Sequence, residues 1–236
     1  MNAQFLAIAR DPQIIPGVHH YCNEWCDYCD VTARCFGYRC AQVYRKSHGR
    51  TDGQPTFTSI DEAVVFTRET SAAEGVRTDE LDALLASPPG TSAITTDDPL
   101  AELAWDYAER VSRLMAPLVV QWMLKPPPPS KGGPTPVETV LWYHLRIYMK
   151  LFRALVARDT HAAGAGSDEA RGCGKLALVS IDRSLEALRH LTEDISAADL
   201  GDLQRMLRRM RDGLETKVPG ARAYVRIGLD QPVACV

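Results

Sequence analysis

Apolar residues recur every three or four positions through most of the second half of the chain. This spacing places them on one face of an α-helix, and four such stretches follow one another after residue 97. Their apolar stripes are, in turn, Leu100, Leu103, Tyr107, Val111, Leu114 and Leu118; Val137, Leu141, His144, Tyr148, Leu151 and Leu155; Leu178, Ile181, Leu185 and Leu188; and Leu200, Leu203, Leu207, Met210 and Leu214. The pattern predicts a bundle of about four helices.

Helix-start signals support these stretches. Asp98 precedes Pro99, and proline is favoured at the first position of a helix. Thr135 stands three residues before Glu138, which is the spacing of a capping box. Segments rich in proline or glycine separate the helices, and we expect the third helix to run from about residue 175 to 191 after a small flexible loop.

The second helix carries another apolar stripe beside the first, formed by Trp142, Leu145, Met149 and Phe152. A helix that is apolar on two adjacent faces is expected to pack on more than one side. We therefore predict that this helix is central to the bundle. The segment after the last helix, residues 218–230, is expected to be extended and to lie against the bundle.

The chain divides into three predicted segments. Five of the seven cysteines fall in the first, an N-terminal module of residues 1–50. Residues 51–96 are predicted to be a connector with short helices at about 59–73 and 78–86. Residues 97–236 contain the bundle. The predicted fold class is therefore all-α, with an N-terminal cysteine-rich metal-binding loop docked on a roughly four-helix bundle.

Composition and charge narrow the possible functions. The chain has 236 residues, of which 45% are apolar, enough to fill a core. With 27 basic and 30 acidic residues the net charge is −3, so no overall field favours nucleic acid or an anionic membrane. The arginine-rich run at 205–211 is interpreted as a solvated helix face. We expect a protein partner and disfavour nucleic acid.

No segment approaches the ~18 consecutive apolar residues that a membrane helix needs. The first residues do not have the pattern of a signal peptide either. These observations predict a soluble cytoplasmic protein without a membrane partner. In that compartment thiols stay reduced, so clustered cysteines indicate metal ligands or redox groups and not disulfides.

The stretch CNEWCDYCDVTARC contains Cys22, Cys26, Cys29 and Cys35 with the spacing C-x3-C-x2-C-x5-C. Zinc sites usually use two separated cysteine pairs, because four thiolates on one short segment crowd a single ion with bonds of ~2.3 Å. An iron-sulfur cluster is larger and accepts thiolates a few residues apart in one loop. The spacing therefore favours an iron-sulfur cluster, most simply 4Fe-4S, held by these four cysteines, with zinc as the alternative.

Other residues offer alternative ligands or reactive groups. Cys40 lies five residues beyond Cys35 and is an alternative fourth ligand. His19 and His20 are also close enough in sequence to bind the same metal. Cys173 stands between two glycines in a predicted loop, where a reactive thiol is possible, although no sequence neighbour lowers its pKa.

Part of the motif resembles the signature of radical SAM enzymes. In CNEWCDYC, Cys22, Cys26, Cys29 and the aromatic Tyr28 occupy the matching places. The resemblance implies an open iron site inside a barrel of strand and helix units. Cys35 departs from that pattern because it offers a fourth thiolate, and the remainder of the chain has a helical pattern. This departure puts the radical chemistry in doubt.

The second half of the motif, CDYCDVTARC, is similar to the cluster-binding C-x2-C-x5-C of iron-sulfur nucleases from CRISPR adaptation and bacterial recombination complexes. The similarity implies iron-sulfur ligation at this spacing. Those nucleases also carry a PD-(D/E)xK core. Here Glu215 and Lys217 form an ExK triplet at the end of a predicted helix instead of on a strand, so nuclease activity is not implied.

A wider resemblance covers about half of the chain. Four blocks keep their order: IIPGVHHYCNEWCDYCDVTARC, LWYHLRIYMKLFRAL, GKLALVSIDRS and VPGARAYVRIGLD. Together they look like a group of uncharacterised bacterial proteins that join an N-terminal cysteine loop to a helical C-terminal region. The resemblance implies this module layout and no particular function.

Three residues place polar atoms on the apolar stripes of the first two bundle helices, namely Tyr107, His144 and Tyr148. Buried Tyr and His are usually core residues with local hydrogen bonds, and a second site for a metal or substrate is the alternative. The leading prediction is a small iron-sulfur protein whose closed cluster organises the fold for partner binding or passes single electrons. The alternatives are a metal-dependent enzyme with a site in the bundle and a zinc-stapled interaction module. No catalytic residue is predicted.

Overall fold

The computed structural model describes residues 2–51, 56–76, 79, 96–124, 133–160, 168–191 and 195–231. Within these ranges the chain forms seven α-helices and no β-strand, which confirms the all-α prediction. The helices are α1 (Ala3–Ala9), α2 (Phe36–Ser47), α3 (Ile60–Ala73), α4 (Pro99–Leu124), α5 (Pro136–Thr160), α6 (Asp168–Leu188) and α7 (Ala197–Lys217). The predicted short helix at 78–86 lies almost entirely outside the described residues. Among the described helices, none is both long and apolar enough to cross a membrane.

The chain folds as two compact units. The first contains Met1–Ala93 together with Arg226–Val236, and the second contains Ile94–Val225. The cysteine loop and α1 to α3 therefore belong to the first unit, which also includes the end of the chain. The second unit contains α4 to α7. The docking of the cysteine loop on the bundle stays a prediction.

The bundle of the second unit is built from α4 to α7, with the most extensive contact between α5 and α6. The stripes predicted for α6 and α7 are confirmed as buried. They consist of Leu178, Ile181, Leu185 and Leu188 in α6, and Leu200, Leu203, Leu207, Met210 and Leu214 in α7. In α7 these five residues are the buried ones, so the periodicity alone identifies the buried side. In α6 the burial extends beyond the predicted stripe to small residues such as Ala177 and Ser184.

The buried face of α5 differs from the predicted one. Its inward-facing residues are Val137, Val140, Tyr143, Ile147, Leu151, Ala154, Leu155 and Ala157. The predicted second stripe lies partly in solvent, because Leu145 and Met149 are 45% and 48% exposed. The predicted second stripe is therefore wrong at Leu145 and Met149, although α5 contacts both α4 and α6, as expected of a helix that packs on more than one side. The pattern could not identify the buried face, because a helix that is apolar around most of its circumference has no unique periodicity. Small alanines on the buried face also allow the closest contact with a neighbouring helix.

The predicted caps are confirmed. The Asp98 carboxylate accepts a hydrogen bond from the Leu100 N–H at 2.9 Å, at the start of α4. At the start of α5, the Glu138 N–H donates to Thr135 Oγ1 at 3.2 Å, and the Thr135 N–H donates to Glu138 Oε2 at 2.7 Å. These reciprocal bonds are those of a capping box, which satisfies backbone donors that the helix cannot satisfy itself.

The start of α6 required correction. The helix begins at Asp168, well before the predicted start, so Cys173 lies in a helix and not in a loop. Cys173 is only 3% exposed, and burial raises the pKa of its thiol. A Cβ at Gly174 would lie 2.9 Å from the Cβ of Ala221, so glycine permits close packing of the segment that follows α7. This tertiary contact outweighs the low helix propensity of glycine.

The segment after α7 consists mainly of turns and is not extended as predicted. Its first part packs in the second unit, where Val218 and Ala221 are buried. From Arg226 onward the chain belongs to the first unit.

Short helices of the first unit surround an aromatic cluster. The buried residues of this cluster are Phe5, Ile8, Phe36, Cys40, Tyr44 and Ala73, with Phe57 and Phe66 packed against them. The ring centroids of Tyr44 and Phe66 lie 5.3 Å apart in an edge-to-face arrangement, and those of Phe5 and Phe66 lie 5.6 Å apart. This geometry is favourable for aromatic pairs. The cluster fixes α1, α2 and α3 around the cysteine loop.

Candidate metal centre

The cysteine loop joins α1 to α2 through a series of tight turns. Two short 3-10 turns, Cys26–Tyr28 and Thr32–Arg34, reverse the chain direction within the loop. Glu24 has φ of 53°, a left-handed conformation that costs free energy for a residue with a side chain. Such strained, turn-rich backbone is common where a loop presents several side chains to one site.

The four thiols of the loop are close enough to influence one another's ionisation. Burial, followed by the charges of Cys22, Cys35 and Cys29, raises the pKa of Cys26 to about 11. Burial likewise raises the pKa of Cys22 and of Cys35, with further contributions from neighbouring cysteines. The four residues predicted as ligands thus interact with one another electrostatically. Because these shifts disfavour free thiolates, binding of a metal would release protons.

Backbone N–H groups point at two of the sulfurs. The Glu24 N–H donates to Cys22 Sγ at 3.3 Å, and the Tyr38 N–H donates to Cys35 Sγ at 3.5 Å. Cys35 is also the N-cap residue of α2. A helix N-terminus favours negative charge, so this position helps to hold Cys35 as a thiolate ligand once burial is offset by a metal.

An apolar wall stands behind Cys35. This residue is 8% exposed and packs with Ile15 and Val18, while Leu229 from the end of the chain packs against the same cluster. Gly228 adopts φ of +75°, and a Cβ at this position would lie 2.9 Å from Ile15 Cδ1. Two features favour glycine at this position, namely the left-handed backbone conformation and the close approach of Ile15.

A buried arginine ties the end of the chain to the loop. Arg226 is 7% exposed, and its Nη2 donates to Asp230 at 2.7 Å. Its Nη1 donates to the side-chain oxygen of Asn23 at 3.3 Å, next to Cys22. A buried guanidinium needs such partners, because an unpaired buried charge is costly. The contact holds the loop in place across a sequence separation of 203 residues.

The outer edge of the loop is accessible. Cys22, Cys26 and Cys29 are half-buried. Beside them the rings of Trp25 and Tyr28 lie edge to face with centroids 5.1 Å apart, and Tyr28 is 45% exposed. A metal group bound by the loop would therefore have one side near solvent and the other against the apolar wall.

The spacing of the sulfurs bears on which metal fits. Within the part of the chain that the structure describes, no three of the cysteine sulfurs lie within 4.8 Å of one another. Tetrahedral zinc with Zn–S bonds of ~2.3 Å has sulfurs about 3.8 Å apart. Zinc would thus require the thiols to move inward. Four thiols and N–H···S bonds are the donor set that an iron-sulfur cluster would need, and the choice between cluster and zinc stays a prediction.

Cys40 lies in a different environment from the other four cysteines. Its side chain is fully buried in the aromatic cluster with Phe5 and Phe36. Burial raises its pKa to about 12. These observations favour a core role for Cys40 over the alternative of a fourth ligand, because an apolar environment stabilises the protonated thiol.

The residues proposed for a second site in the bundle do not converge. Tyr107 is fully buried beside Ser184, and burial raises its pKa. Tyr148 is half-buried against Trp105, with ring centroids 5.1 Å apart. His144 Nδ1 lies 2.5 Å from the Leu141 carbonyl oxygen of its own helix, and burial lowers its pKa. Tyr107 is a core residue, but its hydroxyl has no hydrogen-bond partner among the described residues, and His144 and Tyr148 are only partly buried.

The other charged motifs form surface ion pairs. Arg205 contacts Asp202, and Arg208 donates to Gln204 at 3.2 Å along the same exposed helix face. This agrees with the interpretation of the arginine run as a solvated face. Both members of the ExK triplet also have partners, since Glu215 pairs with Arg222 at 2.7 Å and Lys217 pairs with Asp98 at 2.8 Å.

A second group of ligand-type side chains lies in the first unit. His19, His20 and Glu74 bring their ligand atoms within 4.8 Å of one another. The sequence analysis identified the two histidines but missed Glu74. No sequence signal pairs Glu74 with the histidines, because the contact depends on the packing of α3 beside the loop.

Comparisons with family models, with curated proteins and with solved structures gave no match for this chain. The function must therefore be argued from the cysteine loop and its surroundings. The family resemblances of the sequence stay predictions.

Proposed function

We propose that the protein binds an iron-sulfur cluster through Cys22, Cys26, Cys29 and Cys35 and acts as a redox or partner-binding module. The observation that carries the proposal is that one turn-rich loop presents four thiols, which interact electrostatically with one another. With four thiolates the cluster, most simply 4Fe-4S, has every iron corner occupied. A closed cluster of this kind favours electron transfer or a structural role over activation of a substrate at iron.

The surroundings of the loop also support this proposal. Hydrogen bonds to sulfur and the degree of solvent exposure set the reduction potential of a cluster. The loop supplies both, through N–H donors to Cys22 and Cys35 and through the half-buried positions of Cys26 and Cys29. The accessible edge beside Trp25 is where a protein partner would approach. An aromatic pair at such an edge is typical of interfaces.

The decisive experiment measures iron, acid-labile sulfide and zinc in protein purified without oxygen, together with its visible spectrum. We expect iron and sulfide in near-equal amounts, a brown colour and bleaching on reduction. Stoichiometric zinc without sulfide, in a colourless protein, would overturn the proposal. That result would indicate the zinc-stapled interaction module instead.

Two variants test the ligand set. Cys26→Ser should lose the iron and the colour, because serine replaces a thiolate ligand. Cys173→Ala is the matched control, since Cys173 is buried in α6 and takes no part in the loop. It should keep both iron and sulfide. Equal iron content in the two variants would contradict the proposed ligands. The reduction potential of the wild-type cluster then distinguishes a redox role from a structural one.

A further inference from the structure

We propose that His19, His20 and Glu74 form a second metal site, next to the four thiols but without using them as ligands, which binds one divalent transition-metal ion such as Zn²⁺ or Fe²⁺. Two imidazoles and one carboxylate are a common ligand set for these ions. In catalytic zinc sites and in non-haem iron sites this set leaves further positions open for water or substrate. The site goes beyond the iron-sulfur function and does not depend on it.

The distances suit a single ion. Nε2 of His19 lies 3.5 Å from one carboxylate oxygen of Glu74, and Nε2 of His20 lies 3.8 Å from the other. A tetrahedral ion with ligand bonds of 2.0–2.1 Å holds its donor atoms roughly 3.4 Å apart. The ligand atoms of the three side chains all lie within 4.8 Å of one another, so a modest inward shift lets them coordinate an ion between them.

Packing sets the direction of the His19 ring. A Cβ at Gly37 would lie 3.3 Å from the ring, and the centroid of Phe36 lies 5.7 Å from that of His19. His19 Nδ1 is buried with no hydrogen-bond partner among the described residues. Nε2 is the ring nitrogen that faces Glu74, so it is the one placed to bind the ion.

The Glu74 carboxylate lies against both imidazoles, and a divalent cation bound between the three groups would bind to each of them. The rings of His19 and His20 lie 4.3 Å apart, so two imidazolium ions there would repel each other. Glu74 is the C-cap residue of α3, where the helix dipole disfavours a carboxylate. A divalent cation is coordinated by both rings in their neutral form and compensates the carboxylate at the same time.

Access to the site is adequate for an ion. The side chains of His19 and Glu74 are 25% and 22% exposed, and that of His20 is 50% exposed. His19 is the more buried of the two histidines, and His20 is the one nearer to solvent. This partial exposure leaves a path for the ion and for water as a further ligand. The open coordination positions distinguish the site from the closed cysteine loop.

Cobalt titration of the full-length, metal-free protein tests the proposal, because the absorption of Co²⁺ reports its ligands. Cobalt in the cysteine loop gives intense thiolate charge-transfer bands, whereas cobalt bound by nitrogen and oxygen gives only weak d–d bands. We expect one ion of each kind per chain. Glu74→Gln and His20→Asn should weaken the second ion by at least about tenfold, the loss that follows removal even of outer-shell partners, and leave the thiolate bands unchanged.

Matched controls separate the site from a simple ion pair. Glu186 and His190 form an exposed pair with an N···O distance of 3.5 Å on and just after α6, with a single histidine. Glu186→Gln and His190→Asn should leave the binding of both ions unchanged. Circular dichroism identifies any variant that fails to fold, and the two triad variants provide independent tests.

Two results would overturn the inference. In the first, the triad variants bind the second ion as tightly as the wild-type protein does. In the second, a folded Cys26→Ser/Cys29→Ser variant loses the weak d–d bands along with the thiolate bands, which would make the histidines part of the cysteine site. Failure of the iron-sulfur proposal is a different result, namely no iron or sulfide in the protein as purified.

Discussion

The two units of the chain differ in what fills their interiors. In the second unit, long helices bury aliphatic side chains and alanines, and Leu178, Ile181 and Leu188 are completely inaccessible to solvent. In the first unit, short helices surround an aromatic cluster. A turn-rich loop beside that cluster carries four thiols, and two histidines and a glutamate lie close to one another in the same unit.

The second unit contains a core that can stabilise it, whereas the candidate metal ligands lie in the first unit. The bundle has a continuous apolar core, which is sufficient to stabilise a helical domain without a ligand. The first unit places thiols, imidazoles and a carboxylate beside its aromatic cluster, and these groups are able to bind a metal. Small domains of this kind commonly depend on a metal for stability. We therefore expect the two units to respond differently to metal removal, to core truncation and to pH.

Metal removal should produce the largest difference. If the loop binds a cluster, its loss should lower amide protection in α2 and the loop by about a thousandfold or more, which corresponds to about 4 kcal/mol of local stability. Amides of α6 should keep their protection. Hydrogen exchange with and without the metal measures both units in one sample. Equal loss in α6 and α2 would contradict the division between a metal-dependent and a metal-independent unit.

Truncation of the bundle core should destabilise the second unit and leave the metal content of the first unit unchanged. Leu178→Ala removes a fully buried side chain from α6 and should lower the free energy of unfolding of the second unit by about 3 kcal/mol. Metal content should not change. Leu145→Ala in α5 is the matched control, because Leu145 is 45% exposed and should cost well under 1 kcal/mol. Urea unfolding followed by circular dichroism measures both, and similar costs would contradict the buried face assigned to α5.

A glycine substitution tests the wall behind the cysteine loop. Gly228→Ala should destabilise the first unit by about 2 kcal/mol, because alanine is strained at this φ of +75° and its Cβ meets Ile15. Gly49→Ala is the control, since Gly49 has φ of +65° but open space around it. It should show the conformational cost alone. Hydrogen exchange in α2 measures both effects, and equal costs would rule out the close contact with Ile15.

The smallest effect concerns Asp98 at the start of α4, which forms ion pairs with residues near the ends of α5 and α7. The Asp98 carboxylate accepts hydrogen bonds from Lys217 at 2.8 Å and Arg158 at 3.4 Å, in addition to capping α4. Burial opposes ionisation of Asp98, but these partners and the Leu100 N–H outweigh it and lower its pKa. Asp98→Asn keeps the cap and removes the charge, so we expect a loss of about 1 kcal/mol at neutral pH.

The sign of the pH dependence follows from this lowered pKa. The stabilising contribution of Asp98 is complete above the pKa of an unfolded aspartate and is lost as the pH falls through the lower pKa of the folded state. The stability difference between wild type and Asp98→Asn should therefore shrink in acid and vanish below that pKa. Urea unfolding across the acidic range measures it. A difference that stays constant down to the lowest pH would exclude the ion pairs as its origin.

Features with a local origin were predictable from the sequence. The buried stripes of α6 and α7 follow from the period of the helix, and the caps at Asp98 and Thr135 follow from side-chain oxygens next to free backbone N–H groups. The candidate ligands Cys22 to Cys35 follow from the spacing of thiols within one loop. These features depend on residues only a few positions apart, so their pattern can be recognised along the chain.

Other features were decided only by tertiary structure, because they depend on contacts between distant segments. The face that α5 buries was set by its neighbours and not by its own period. Cys173 became a buried helical residue because Gly174 permits close packing against Ala221. Glu74 met the two histidines through the packing of α3, and Arg226 reached Asn23 across 203 residues. The sequence by itself therefore determined the helices and the set of thiols, whereas the folded chain determined which groups surround them.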